Sequence, residues 1–150
     1  MSDPVPDDHH VARHCPKSKL DEDGWPRPTA FMLKVARGEK SLSVNWLEYL
    51  GVSERSDQIA ELREVYKRKK YMIGPTSKFA VLQVGQTIDN VSSNTNGVHR
   101  ISVIHEPEGP PEFDYEDPSH SGIYGVPSED DNEVSKYIAD SVIERHDGRE

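Results

Sequence analysis

The chain has 150 residues, a length that suits one domain of common size and leaves no room for two full ones. Its 18 Lys and Arg stand against 27 Asp and Glu, and the net charge of −9 disfavours generic binding to nucleic acid or to an anionic membrane surface. At 33% hydrophobic and 30% charged residues the composition is slightly polar for a globular protein, so part of the length is expected outside the core.

No stretch nears the roughly 20 apolar residues of a membrane span, and the first residues have neither the basic nor the apolar region of a signal peptide. Cys15 has no second cysteine to pair with, which suits a reducing compartment, and the cytoplasm is the expected location.

In chain order, residues 1–8 hold two prolines and three aspartates with little to bury, and are expected to be a disordered lead-in. His9 to Cys15 is a candidate strand closed by Pro16, followed by a polar surface loop from Lys17 to Pro28. Thr29 to Leu33 is a short apolar run. Ser41 to Trp46 alternates with period two and predicts a half-buried strand, which the run before it would join in a hairpin. Leu47 to Leu50 reads either as one helical turn or as packing at a sheet edge, and stops at Gly51.

The clearest helix follows Ser56, with Ile59, Leu62, Val65 and Tyr66 on one face. It ends in Lys67-Arg68-Lys69-Lys70, four cations that compensate the negative pole of the helix or form a phosphate-binding patch. Phe79 to Gly85 is nearly all apolar, the pattern of a strand buried on both faces at the centre of the sheet. Asn90 to Gly97 reads as a loop ending in an Asn-Gly turn. Val98 to His105 then predicts a strand with His99, Ile101, Val103 and His105 on one face. The acidic, proline-rich stretch from Glu106 to Tyr124 is longer than compact domains usually tolerate without a function or disorder. A last helix is expected to open at Ser128, with Glu129, Asp130 and Asp131 in its first turn and Val134, Tyr137, Ile138 and Val142 as its stripe. The tail from Arg145 reads as frayed.

Seven histidines are the most distinctive feature of the composition, and they fall into an N-terminal group and one on and after the 99–105 strand. His10 and His14 would share a face of a helix, with Cys15 as a soft ligand beside them. No CxxC or HExxH accompanies them, and no metal site is assigned. His14, His105 and His120, with Arg13 and Arg100 to neutralise oxyanions, form the candidate catalytic set for phosphate chemistry near neutral pH. The bland reading of the same residues is hydrogen-bonded histidine in polar strands.

Asp21-Glu22-Asp23 offers hard oxygen ligands but lacks a calcium-loop pattern. Cys15 as a nucleophile beside His14 would need a lowered pKa and a third, orienting group. Asp117 to Gly125 is either a ligand-gripping loop or a turn anchoring the sheet on the last helix through Ile123 and Tyr124. P-loop, dinucleotide and nucleophile-elbow motifs do not occur in the sequence, and no cofactor is expected.

These stretches resemble a group of small bacterial proteins of no known function. The resemblance runs through His10 with Arg13-His14, Asp21 to Gly24, Ala30-Phe31, Leu42 to Tyr49, Phe79 to Gly85 and Asp117 to Gly125. It points to a bacterial source and brings no activity with it.

The sequence thus predicts one α+β domain over residues 9–144, with an antiparallel or mixed sheet of four or five strands and two helices. A disordered segment 1–8 and a flexible tail 145–150 complete the expectation. The leading functional expectation is a binding or interaction module for a protein or small-molecule ligand. The alternative is a small enzyme or ligand-binding protein that acts on phosphate-bearing compounds through the His/Arg set, provided those residues share one cleft.

Overall fold

Alternation in the first strand decides the architecture. In β1 (His10–Cys15), Val11 and Cys15 enter one hydrophobic cluster while Ala12 enters another on the opposite face. The computed structural model describes residues 3–128 and 132–149. Five more strands follow among them: β2 (Leu42–Trp46), β3 (Lys78–Gln83), β4 (Ser102–His105), β5 (His120–Tyr124) and β6 (Val142–Asp147). They form one antiparallel sheet in the order β4-β5-β2-β1-β3-β6.

Because both faces are apolar, both are covered. Helix α1 (Arg55–Arg68) lays Ile59, Leu62, Val65 and Tyr66 on Ala12, Phe79 and Val81. Helices α2 (Val84–Asn94) and α3 (Glu133–Asp140) cover the other face, where Val84, Val91, Val134 and Ile138 meet Val11, Val44, Ala80 and Leu82. Each buried aliphatic side chain in these layers contributes roughly 1.5–3 kcal/mol of transfer free energy. β3 is buried on both faces as its sequence predicts, although β1 and β2 hold the middle of the sheet.

The α+β expectation holds, with more elements than predicted: six strands and three α-helices among the described residues. Pro28–Phe31 is a 3-10 turn rather than the partner of a hairpin, because Phe31 is needed in the core and β2 finds its partners in β1 and β5. Glu48–Leu50 is the single helical turn foreseen as one option. Of the predicted strand 98–105, only Ser102–His105 is β-structure.

The expectation of disorder over 1–8 is corrected for residues 3–8. Val5 is 2% exposed, its N–H donates to Val103 O, and His105 N–H donates to Asp3 O, so the segment runs along the β4 edge. The flexible tail is corrected too. Lys78–Leu82 of β3 pair with residues 142–147, which leaves β6 as an edge strand up to Asp147. Helix α3 begins at Glu133 under an Asn132 cap whose side chain accepts from Ser135 N–H, so its predicted start at Ser128 is too early; Glu129, Asp130 and Asp131 lie outside the described residues.

One irregularity in the sheet positions the site. β1 pairs with β3 over six residues but with β2 over only two, Val11 with Trp46 and Ala12 with Asn45. Beyond Ala12 no ladder joins β1 to β2. Arg13 spans that opening, donating from Nε to Ala30 O at 2.6 Å and from Nη1 to Ser43 O at 2.8 Å.

Candidate functional site

A cleft of about 390 Å³ opens where β1 and β2 part, within the roughly 300–1,000 Å³ usual for small-molecule sites. Strands supply Arg13, His14, Ser43 and His120, the last turn of α1 supplies Tyr66, and the residues just after the helix supply Lys69 and Tyr71. The long segment before β2 adds Thr29, Lys34, Arg37 and Glu39, Lys19 comes from a 3-10 turn, and the acidic loop adds Glu108 and Tyr115.

One end of the cleft is cationic. Arg37 and Lys19 lie close enough for their charges to act on Lys34, whose ammonium is held below its ordinary pKa by burial first and then by Arg37 and Lys19. Glu39 is the carboxylate on this side, and its Oε1 also accepts the Lys34 N–H at 2.7 Å. With Arg13, whose charge also acts on Lys34, four cations stand against one carboxylate, an unfavourable arrangement that an anion would relieve.

The other end is a mixed network. Lys69 Nζ lies 2.9 Å from Asp117 Oδ2 and 3.4 Å from Glu108 Oε1, and the rings of Tyr66 and Tyr115 stand 5.5 and 5.2 Å from it. Asp117 is fully buried and also accepts from Asn45 Nδ2 at 2.8 Å, so this carboxylate ties α1, β2 and the acidic loop together. The Tyr115 hydroxyl donates to Glu108 Oε1 at 3.1 Å; burial and this carboxylate push its pKa up to about 12.

His14, also in the lining, is packed among rings, with Tyr66, Tyr71 and Phe79 centroids 5.3 to 5.5 Å away. Both of its ring nitrogens are buried without a hydrogen-bond partner. Burial, then the neighbouring Arg13 charge, lowers its pKa to about 4, so the imidazole is neutral at pH 7. His120 is fixed differently: Nδ1 is 2.8 Å from Glu106 O, and Nε2 is 3.2 Å from Ser43 Oγ and 3.7 Å from Glu108 Oε2.

Of the five residues nominated from sequence, Arg13, His14 and His120 meet in this cleft. His105 and Arg100 do not line it. The His105 ring stacks between Trp46 and Tyr49, with centroids 5.1 and 4.6 Å away, and its Nε2 is 2.7 Å from Pro118 O; Arg100 is exposed on the segment before β4.

The segment is the strand that its sequence predicts, so the face that His10 and His14 would share on a helix does not form. Residues four apart in a strand are separated by about 13 Å, and neighbours point to opposite faces. His10 pairs with Glu48 at 2.6 Å, while Cys15 is sealed in the other core with its thiol pKa raised to about 11 by burial. Asp21 serves its own turn, Oδ1 accepting from the N–H groups of Asp23 and Trp25. The 67–70 cation run divides: Lys67 pairs with Glu64 on the surface, and Lys69 turns into the cleft. In the 117–125 stretch, His120–Tyr124 is strand β5, with Ile123 buried in the core and His120 lining the cleft.

No family model, curated protein or solved structure matches the chain. No helix among the described residues is long and apolar enough to cross a membrane.

Sequence reasoning missed Lys19, Lys34, Arg37, Tyr71, Glu108 and Tyr115. These residues come from loops and helix ends scattered between positions 19 and 115, and no local periodicity marks loop residues that converge only through the fold.

Proposed function

We propose that the cleft binds, and acts on, a small phosphate-bearing compound with a planar aromatic group, a nucleotide being the simplest such ligand. The observation that carries this reading is the cationic end: Lys19, Lys34 and Arg37 gathered around one carboxylate in a protein of net charge −9. Such a cluster is costly when empty and favourable around an oxyanion. Tyr71 and Tyr115 line the same cleft and offer ring faces, and the cleft volume suits a mononucleotide rather than a polymer. His120, beside Ser43 and Glu108, is the group placed for proton transfer, which keeps open the reading as an enzyme.

Calorimetric titration with pyrophosphate, ADP and NAD⁺ tests the proposal, followed by chromatography of each compound after incubation to read turnover. The expected result is micromolar to millimolar binding that weakens about tenfold in Arg37→Ala and in Lys34→Ala, as the loss of a charge-assisted contact worth about 1.5 kcal/mol implies. No heat of binding from any of the three at millimolar concentration contradicts it.

A further inference from the structure

The two ends of the cleft differ in charge. At the cationic end Lys19, Lys34, Arg37 and the neighbouring Arg13 outnumber Glu39 by three charges. At the other, Lys69 faces two carboxylates, Glu108 and Asp117, for an excess of one negative charge. Asp117 is spent on structure, since its oxygens take Lys69 and Asn45 and it is fully buried. Glu108 is not. Its Oε1 receives the Tyr115 hydroxyl and Lys69, but among the described residues its Oε2 receives no hydrogen bond, and His120 Nε2 lies 3.7 Å from it.

That oxygen is not sealed from solvent, so in the wall of the cleft it is an acceptor that a ligand donor can reach. A phosphate oxygen cannot complete it, because both are acceptors and both are negative. An uncharged hydroxyl can, by donating to Oε2. The Glu108 side chain is held for that purpose by its own backbone: its N–H donates to Asp117 O and its carbonyl accepts the Asp117 N–H, at 3.1 and 2.8 Å.

We infer that Glu108 is a specificity-determining residue that orients the ligand, repelling phosphate from its end of the cleft and accepting a hydrogen bond from a hydroxyl group of the ligand. This deepens the proposed function and rests on it. The ligand class narrows accordingly to phosphorylated compounds that carry a free hydroxyl several bonds away from the phosphate, as a nucleotide carries on its sugar. Phosphate then lies against Lys34 and Arg37, and the hydroxyl against Glu108, with Ser43 and His120 beside it.

The test compares pyrophosphate, ADP and 2′,3′-dideoxy-ADP on the full chain and on Glu108→Gln, each by calorimetry. The wild-type chain is expected to bind ADP about tenfold more tightly than the dideoxy compound. In Glu108→Gln that preference falls to nearly onefold, while pyrophosphate binds severalfold more tightly because the repelling charge is gone. A merely structural role would weaken all three ligands together, and that outcome overturns the inference. Equal binding of ADP and dideoxy-ADP by the wild-type chain overturns it too, with no variant needed and with the proposed phosphate site intact. Absence of any pyrophosphate or ADP binding to the wild-type chain removes the proposed function itself, and the role of Glu108 with it.

Discussion

His14 carries the most unusual local chemistry in the chain. A histidine caged by Tyr66, Tyr71 and Phe79 with no partner for either nitrogen holds its neutral form, and its pKa falls to about 4. The ordinary value is about 6.5, so as the pH drops from 6.5 toward 4 the unfolded chain takes up a proton that the folded chain refuses. The contribution is therefore fully present above about pH 6.5 and is lost as pH falls toward 4. Discounted for the open cleft, the loss amounts to roughly 1–2 kcal/mol. His14→Phe suits the ring cage and carries no proton. Urea unfolding at pH 7 and pH 4.5 should show a smaller acid loss in this variant than in the wild-type chain, by about that amount. An equal loss in both would show that the imidazole is not excluded from protonation. At this scale the sequence was partly informative: the adjacency of Arg13 and His14 and the polar 117–125 stretch pointed to three cleft residues. The pleat then separated His14 from Cys15 and the stack with Trp46 drew His105 away, because side-chain direction depends on strand register, which composition does not reveal.

Among the elements, those with strong periodicity were legible and those held by tertiary contacts were not. α1 and β3 follow from their apolar spacing. α2 was hidden because Val84, Thr87 and Val91 are set among Gly85, Ser92, Ser93 and Asn94, poor helix formers that would read as a loop. The structure gives it a Gln83 cap accepting from Gln86 N–H and a packing partner in α3. β6 was hidden for a related reason: Val142 to Asp147 is polar because an edge strand needs only one good partner. This correction makes a strong prediction. A chain ending at Ser141 would expose the β3 edge and lose the pairing of Lys78–Leu82 with β6, at a cost of about 3–5 kcal/mol if each lost ladder bond is worth roughly 0.5–1 kcal/mol. Circular-dichroism melting should then show a broad transition at least 10 °C lower. An unchanged melt would mean that the segment is the frayed tail its composition suggested.

Over the whole molecule, charge is distributed against the average. The net charge of −9 argues against generic nucleic-acid binding as an expectation, yet an average says nothing about one cleft where Lys19, Lys34 and Arg37 converge. That cleft exists because β1 and β2 pair over two residues and then part, with Arg13 tying Ala30 and Ser43 across the opening. The central claim is that the split in the sheet holds a phosphate-bearing ligand in one orientation. Crystals grown with ADP test it most directly. The account predicts electron density in the cleft with the phosphates within hydrogen-bond distance of Lys34 and Arg37, the base against Tyr71 or Tyr115, and a sugar hydroxyl on Glu108. Phosphates bound at the Glu108 end, or ADP held elsewhere while the cleft contains only water, would contradict it.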